Sequence, residues 1–409
     1  MATVSTAPPP NAAPIGFAEF VALVASMLAM GALGIDAMLP ALPAIGEALG
    51  VADPNQRQFV IGAFLAGFGL AQLIHGPLSD RYGRRNLLAV ALGGYALTNV
   101  AAALSGSFEL LIAARVAGGI MISATRVATV ALVRDCYSGR AMARVMSMAF
   151  MTFMLVPILA PALGQVVLLV GGWRDIFWTI ATLAGTVMVW LISRMPETLA
   201  RDRRIPLSVG RIVDGWRRTV GDRWSLGYTL AGMMLLGGLY GYLNSIQQIM
   251  ADVFAAPHLL VLVFAGSAAT MAVANLLNAR FVVRVGTRRI SHGAVSVLIA
   301  VTLAHLALVL LGWETLASFT VLQAATMACF GLATSNFSAM AMENMGAIAG
   351  TASSVQGFTT VTGGALLGSL IGQAFDGSAA PMVAGFALAG VAALGIVLLT
   401  ERGRLFGAH

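Results

Sequence analysis

Lysine is absent: all 24 basic residues among the 409 are arginine. Charge of either sign is scarce, with Asp, Glu, Lys and Arg together making 10% of the chain. A soluble domain carries about 25%. This chain therefore cannot cover a water-facing surface with polar groups, and its excess apolar surface must face lipid. The cysteines are Cys136 and Cys329, both in or beside apolar segments, so no disulfide framework is implied. There is no Gly-x4-Gly-Lys phosphate loop, which argues against ATP as the driving force. No Cys/His cluster has metal spacing and no nucleophile has a convincing base. Hence no metal, cofactor or catalytic residue is expected, and a membrane-embedded enzyme is the least favoured class. The first sixteen residues hold no basic residue, unlike a secretory signal. Rich in Ala and Pro, residues 1–16 read as a disordered cytoplasmic tail.

What is present is apolar: 58% of the residues are hydrophobic. A span needs roughly 20 mostly apolar residues. Candidates lie at 17–45, 58–78, 87–105, 109–133, 144–169, 175–194, 225–251, 258–282, 289–312, 314–340, 346–375 and 379–400. The fold class is therefore an all-α membrane protein with twelve transmembrane helices. The arginines test this count. If both termini are cytoplasmic, the cytoplasmic loops hold Arg81, Arg84 and Arg85; Arg134, Arg140 and Arg144; eight from Arg194 to Arg223; Arg280, Arg284, Arg288 and Arg289; and Arg402 and Arg404. That makes twenty, while the opposite loops hold only Arg57 and Arg174, as the positive-inside rule requires. The same scatter through short loops rejects a nucleic-acid reading of the +7 net charge. The polar stretch 195–224, with Pro196 and Pro206, is a cytoplasmic linker. It divides the chain into six spans at 17–194 and six at 225–400, with a cytoplasmic tail at 401–409.

The halves look related. The loop after span 2 reads Gly76-Pro-Leu-Ser-Asp80-Arg81-Tyr-Gly83-Arg84-Arg85, and that after span 8 reads Asn278-Ala-Arg280-Phe-Val-Val-Arg284-Val-Gly286-Thr-Arg288-Arg289. Aligning Gly83 with Gly286 puts Arg85 on Arg288 and Val283 where the first copy has Asp80. Two six-helix repeats around a central cavity are a transporter architecture. The first loop resembles the signature loop of the major facilitator superfamily, in the place where that family carries it. Within it, the chain resembles the bicyclomycin/chloramphenicol-resistance type of drug:proton antiporter. Asp36-x-x-x-Pro40-x-x-Pro43 in span 1 matches that type, as do Arg115 with Gly118-Gly119 and then Arg134-Asp135 in span 4. Pro157-x-x-Ala160-Pro161-x-x-Gly164 in span 5 is similar to the antiporter motif, with Ala160 replacing its first Gly and Gln165 standing where a second is common. The resemblance implies a monomer in a bacterial inner membrane, and it implies that spans 1 and 4 line the cavity.

Asp36 is the one acidic residue placed deep in a span. A carboxylate in hydrocarbon costs about 2.5–3.5 kcal/mol on insertion scales, and such groups are usually functional. Burial favours the neutral form until water or a cation arrives, which is the behaviour of a proton carrier. The alternative is a carboxylate locked in a permanent ion pair. Arg115, at comparable depth in span 4, is its expected partner; a permanently charged guanidinium tunes the acid rather than carrying the proton. The alternative for Arg115 is a bond to backbone carbonyls. Arg126 either faces the cavity, implying negative charge on the substrate, or snorkels to the interface. Gly76, Asp80, Arg81, Gly83, Arg84 and Arg85 are expected to form a cytoplasmic latch that breaks and reforms as the halves rock. Pro40, Pro43, Pro157 and Pro161 are expected helix bends. Tyr240, Tyr242, Asn244, Gln247 and Gln248 crowd polar groups into span 7 and are substrate-cavity candidates, together with Phe153 and Gln356. Their alternative is hydrogen bonding between helices. His75 and His305 read as packed polar residues.

These residues point to a proton-coupled exporter of small amphipathic, drug-like compounds working by alternating access. Its partners are the substrate, protons and the lipid bilayer. The rivals are a transporter of one metabolite, such as a siderophore, sugar or amino-acid derivative, and a non-transporting membrane receptor.

Overall fold

The computed structural model describes residues 13–407 apart from 201, 203 and 205–208; the side chains at 143, 150–154, 209, 211, 212 and 347 are also outside the described set. The expected tail at 1–16 thus lies outside it as far as residue 12. The described chain is helical throughout: α1 (Phe17–Asp36), α2 (Leu42–Ala48), α3 (Phe59–Tyr82), α4 (Arg84–Ala103), α5 (Phe108–Cys136), α6 (Gly139–Val170) and α7 (Trp173–Arg194). Then follow α8 (Val209–Gly221), α9 (Arg223–Gln248), α10 (Leu260–Val285), α11 (Thr287–Leu310), α12 (Leu316–Ala341), α13 (Ala349–Gln373) and α14 (Ala380–Thr400).

Among the described residues, ten helical segments are long and apolar enough to cross a membrane. The exceptions among the long helices are α6, whose apolar part is Leu155–Val170, and α13, which is diluted by Gly, Ser, Thr and Gln. Leu70, Leu97, Leu169, Val170, Val283, Leu310 and Leu399 are all exposed. Large apolar side chains left bare on so many helices suit a lipid-facing belt and would be a liability in water.

Helix ends follow from local chemistry. The Ser107 hydroxyl caps α5 by accepting from Leu110 N (3.3 Å), and Asp222 caps α9 by accepting from Ser225 N (2.7 Å). Gly83 (φ 98°, ψ 158°) and Gly286 (φ 92°, ψ 149°) each end one helix and begin the next. Only glycine adopts that conformation without strain, and the matching angles make the two loops geometric copies. Span 1 is broken rather than bent at its prolines: α1 stops at Asp36, Leu39–Ala41 forms a 3-10 turn containing Pro40, and Pro43 lies in the first turn of α2. Pro157 and Pro161, by contrast, sit inside the continuous helix α6, as does Pro77 inside α3.

The main packing pairs are α3 with α5, α4 with α5 and α7, and α1 with α6; later in the chain α9 packs on α13 and α14, and α12 on α10 and α11. Early and late helices meet where α3 lies along α13 and α6 touches α10. The packing of α3 on both α5 and α13 relies on small residues. Gly119 of α5 is bare against the Phe64 carbonyl of α3, which a Cβ would overlap. Gly62 and Gly69 of α3 face Ser369 and Thr362 of α13 in the same way. Segment 195–224, read from the sequence as a plain linker, contains α8, whose buried Gly215 lies against Thr351 of α13.

Candidate functional site

Asp36 ends α1 because the chain cannot stay helical through Pro40. Gly164, the one glycine of the α6 proline motif that matches its pattern, lets the Ala37 carbonyl and Pro40 pack where a Cβ would collide. Asp36 is 5% exposed, and its carboxyl makes no hydrogen bond or ion pair with any described residue. A cavity of about 340 Å³ opens along α1 beside Ala18, Val21, Ala22, Ala25, Ser26 and Ala29, with Met148 of α6 opposite. Asp36 lies seven residues beyond Ala29, which at 3.6 residues per turn puts it on the same helical face. The small side chains of that face form an open stripe below the acid.

The expected Arg115–Asp36 ion pair does not form. Arg115 is 2% exposed and its guanidinium donates to the Gly34 carbonyl (Nη2, 2.7 Å) and the Val60 carbonyl (Nε, 2.9 Å), over the Phe64 ring at 4.4 Å. The reason is visible in α1. Gly34 abuts Tyr95 and Phe64, inside the packing of α3–α5. Residues two apart on a helix do not share a face, so Asp36 turns away from that core towards the late helices. There Tyr240 and Tyr242 lie within electrostatic reach of it. Arg126, three turns along α5 from Arg115, is exposed, and it too lies within electrostatic reach of the Tyr240 hydroxyl.

The polar residues of α9 do not share one wall. Tyr242 stacks on Phe264 and donates to Ser267 (3.4 Å), facing α10. Asn244 donates to the Gly368 carbonyl of α13 (3.0 Å). Nine consecutive residues of a helix go right round it: Tyr240 and Tyr242 lie within electrostatic reach of Asp36, and Gln247 is buried. Gln248 belongs to an amide cluster at the end of the molecule remote from the linker. It donates to Asn55 Oδ1 (2.7 Å) and accepts from Gln58 Nε2 (2.5 Å). Gln58 also donates to the Gly372 carbonyl (3.0 Å), and Gln373 to the Asn55 carbonyl (2.7 Å). This clasp joins early to late helices and went unseen in the sequence. Gln356, expected in the cavity, instead donates to Ser225 Oγ and the Ala341 carbonyl (2.9 Å each) and ties α13 to α9 and α12. The Phe153 side chain lies outside the described residues.

At the linker end, the signature loop closes on its own side of the molecule. Arg84 pairs with Asp80 (2.6 Å) and Asp135 (3.2 Å). Arg85 donates to the Ile192 carbonyl (2.7 Å), Arg81 lies over the Tyr82 ring, and Gly76 faces Ser354 of α13. The N–H groups at the start of α4 are capped by Glu197, which accepts from Arg84 N (2.8 Å) and Asn86 N (3.3 Å). A second cluster repeats the plan. Arg288 pairs with Glu401 (2.9 Å) and Glu343 (3.3 Å), and the Tyr228 hydroxyl donates to Glu401. So Arg84, rather than the aligned Arg85, occupies the role of Arg288. His292 Nδ1 accepts from Phe406 N (3.1 Å), which docks the C-terminal tail. His75 meets the Ser123 hydroxyl (2.8 Å) and His305 meets Glu314 (2.7 Å), so neither is isolated.

A model of the Major Facilitator Superfamily matches residues 22–369. The chain is 28% identical over 356 residues to an uncharacterized MFS-type transporter, YdgK, of Bacillus subtilis, covering 86% of this chain and 88% of that one. It is 29% identical over 353 residues to a bicyclomycin resistance protein homolog of Haemophilus influenzae, with the same shares covered. Among solved structures, the peptide transporter POT in complex with sulfate superposes with a TM-score of 0.72 at 14% identity, covering 96% of each chain.

Proposed function

Because the chain belongs to the Major Facilitator Superfamily, a family of membrane transporters rather than enzymes, we propose that it is a proton-coupled exporter of small amphipathic, drug-like compounds. The observation that carries this is Asp36: a nearly buried acid without a protein partner, on the α1 face that continues the stripe of alanines lining the cavity. An acid locked in an ion pair could not exchange its proton, whereas this one is left to water and substrate. The likeness to a bicyclomycin resistance protein homolog supports drug-like cargo.

In this reading α6 and α13 also cross the membrane, giving twelve spans in two six-helix bundles, 17–194 and 225–400, joined by 195–224. The arginines place the termini and linker in the cytoplasm of a bacterial inner membrane, and the protein works as a monomer. Alternating access has this arrangement sealed at the periplasmic end by the amide clasp, with the alanine-lined cavity on the cytoplasmic half of α1. In proteoliposomes, an imposed pH gradient drives an amphipathic probe uphill, and an uncoupler abolishes the movement. Equal flux with and without the gradient would refute the coupling.

The clasp yields a separate expectation. Gln58→Leu removes the two hydrogen bonds that Gln58 donates, each worth about 1 kcal/mol, and the long one it accepts from Gln373. The periplasmic end should open more often, so a cysteine placed at buried Ser245 should react with an externally added impermeant maleimide about tenfold faster. An unchanged labelling rate would mean that the amides do not hold that end shut.

A further inference from the structure

Among the described residues, Arg126 is the one cation of the membrane interior that the packing does not use. Arg115, on the same α5 face, is spent on two carbonyls and an aromatic ring. Arg126 is exposed, and it makes no hydrogen bond, ion pair or ring contact with any described residue. Its direction is fixed by the helix it stands on. Eleven residues is close to three full turns, so Arg126 leaves α5 on the side where Arg115 meets α1 and α3, about 16 Å nearer the linker end. Lipid is not on that side: Thr129, one turn further, meets Met27 of α1 (3.9 Å), and Val127 faces Gly76 of α3. Gly94 and Gly118 settle the opposite flank of α5 against α4. Across the gap, the Tyr240 hydroxyl has no described partner either, and it lies within electrostatic reach of both Arg126 and Asp36.

Asp36 of α1 and Arg126 of α5 thus each lie within electrostatic reach of the Tyr240 hydroxyl of α9. None is satisfied by the protein. When Asp36 is neutral, the one formal charge among these three groups is the positive charge of Arg126. A cationic compound would meet it unshielded at low effective dielectric, while a carboxylate would gain a charge-assisted hydrogen bond from the guanidinium and a second from the phenol.

The geometry points to Arg126 as the charge selector of this transporter, holding the anionic group of a small amphipathic organic acid, with Tyr240 as its second donor. This rests on the transporter reading above and deepens it from drug-like compounds in general to organic anions, with a carboxylate as the simplest case.

Equilibrium binding to the purified full-length protein at low ionic strength tests it with three probes of one shape: 2-naphthoate, 2-naphthamide and 2-naphthylmethylammonium. Naphthoate should bind about tenfold or more tighter than the amide, and the ammonium most weakly. Arg126→Gln should erase the difference between acid and amide, while Arg126→Lys keeps part of it. The assignment is overturned if the ammonium binds as well as the acid, if none of the three binds, or if the preference for the acid survives Arg126→Gln. No gradient is involved, so a negative result here leaves proton coupling standing, and a failed flux assay leaves the charge preference standing.

Discussion

Asp36→Asn is expected to lower proton-driven uphill transport by about 100-fold or more, the scale on which removal of an acid–base group tells. Asparagine keeps the size and hydrogen-bonding capacity of the side chain but cannot carry the proton. Exchange of labelled for unlabelled substrate across the membrane, which needs no net proton movement, should persist, and its pH dependence should flatten. A second readout separates this role from a structural one. Asp36 has no described partner to lose, and a charged carboxylate in its place is costly. The variant should therefore be at least as heat-stable in detergent as the parent. An acid that held the fold together would give the opposite result, with loss of stability alongside loss of transport. Undiminished uphill transport by Asp36→Asn would remove the proton carrier from the scheme.

Arg288→Met is expected to destabilise the protein by about 3 kcal/mol or more, because removing one partner of a buried pair strands the other. The stranded group is Glu401, whose side chain is 2% exposed. Arg288 also sits over the Trp224 ring at 4.8 Å, a contact that methionine retains only in part. Adding Glu401→Gln should restore much of the loss, since the amide oxygen still accepts from Tyr228 without an uncompensated charge. The corresponding Arg84→Met should cost less, because Asp80 and Asp135 are 43% and 19% exposed and can turn to water. Thermal unfolding of the three variants in one detergent gives the ordering. Equal losses for Arg84→Met and Arg288→Met would show that burial of the carboxylates does not control the cost.

The spans were legible because hydrophobic run length and arginine placement are one-dimensional signals. The sequence reading of 109–133 became Phe108–Cys136, and 289–312 became Thr287–Leu310. Asp36 stood out for a similar reason, as an acid inside an apolar run. What escaped was everything decided by direction round a helix. Arg115 lies at the depth expected, yet Gly34 offers it a carbonyl on the side of α1 that Asp36 does not occupy. Tyr240 and Gln356 look alike as polar residues in apolar helices, yet one turns to the acid and the other fastens three helices. The second charge cluster was hidden because Val283 replaces an Asp in the repeated loop, while its carboxylates arrive from the ends of α12 and α14. No local pattern announces a pairing between residues 113 apart. The amide clasp was invisible for the same reason, its hydrogen bonds joining residues 190 or more apart.

The makeup of that outer fastening has a consequence of its own. Asn55, Gln58, Gln248 and Gln373 keep the same protonation at every physiological acidity, and salt screens bonds between neutral dipoles far less than bonds between exposed ions. Acid or salt therefore has little direct leverage on these four amides themselves. In the proposed proton-coupled cycle, loosening the fastening then falls to occupancy of the cavity behind it, which would keep the leak of protons through an empty carrier small.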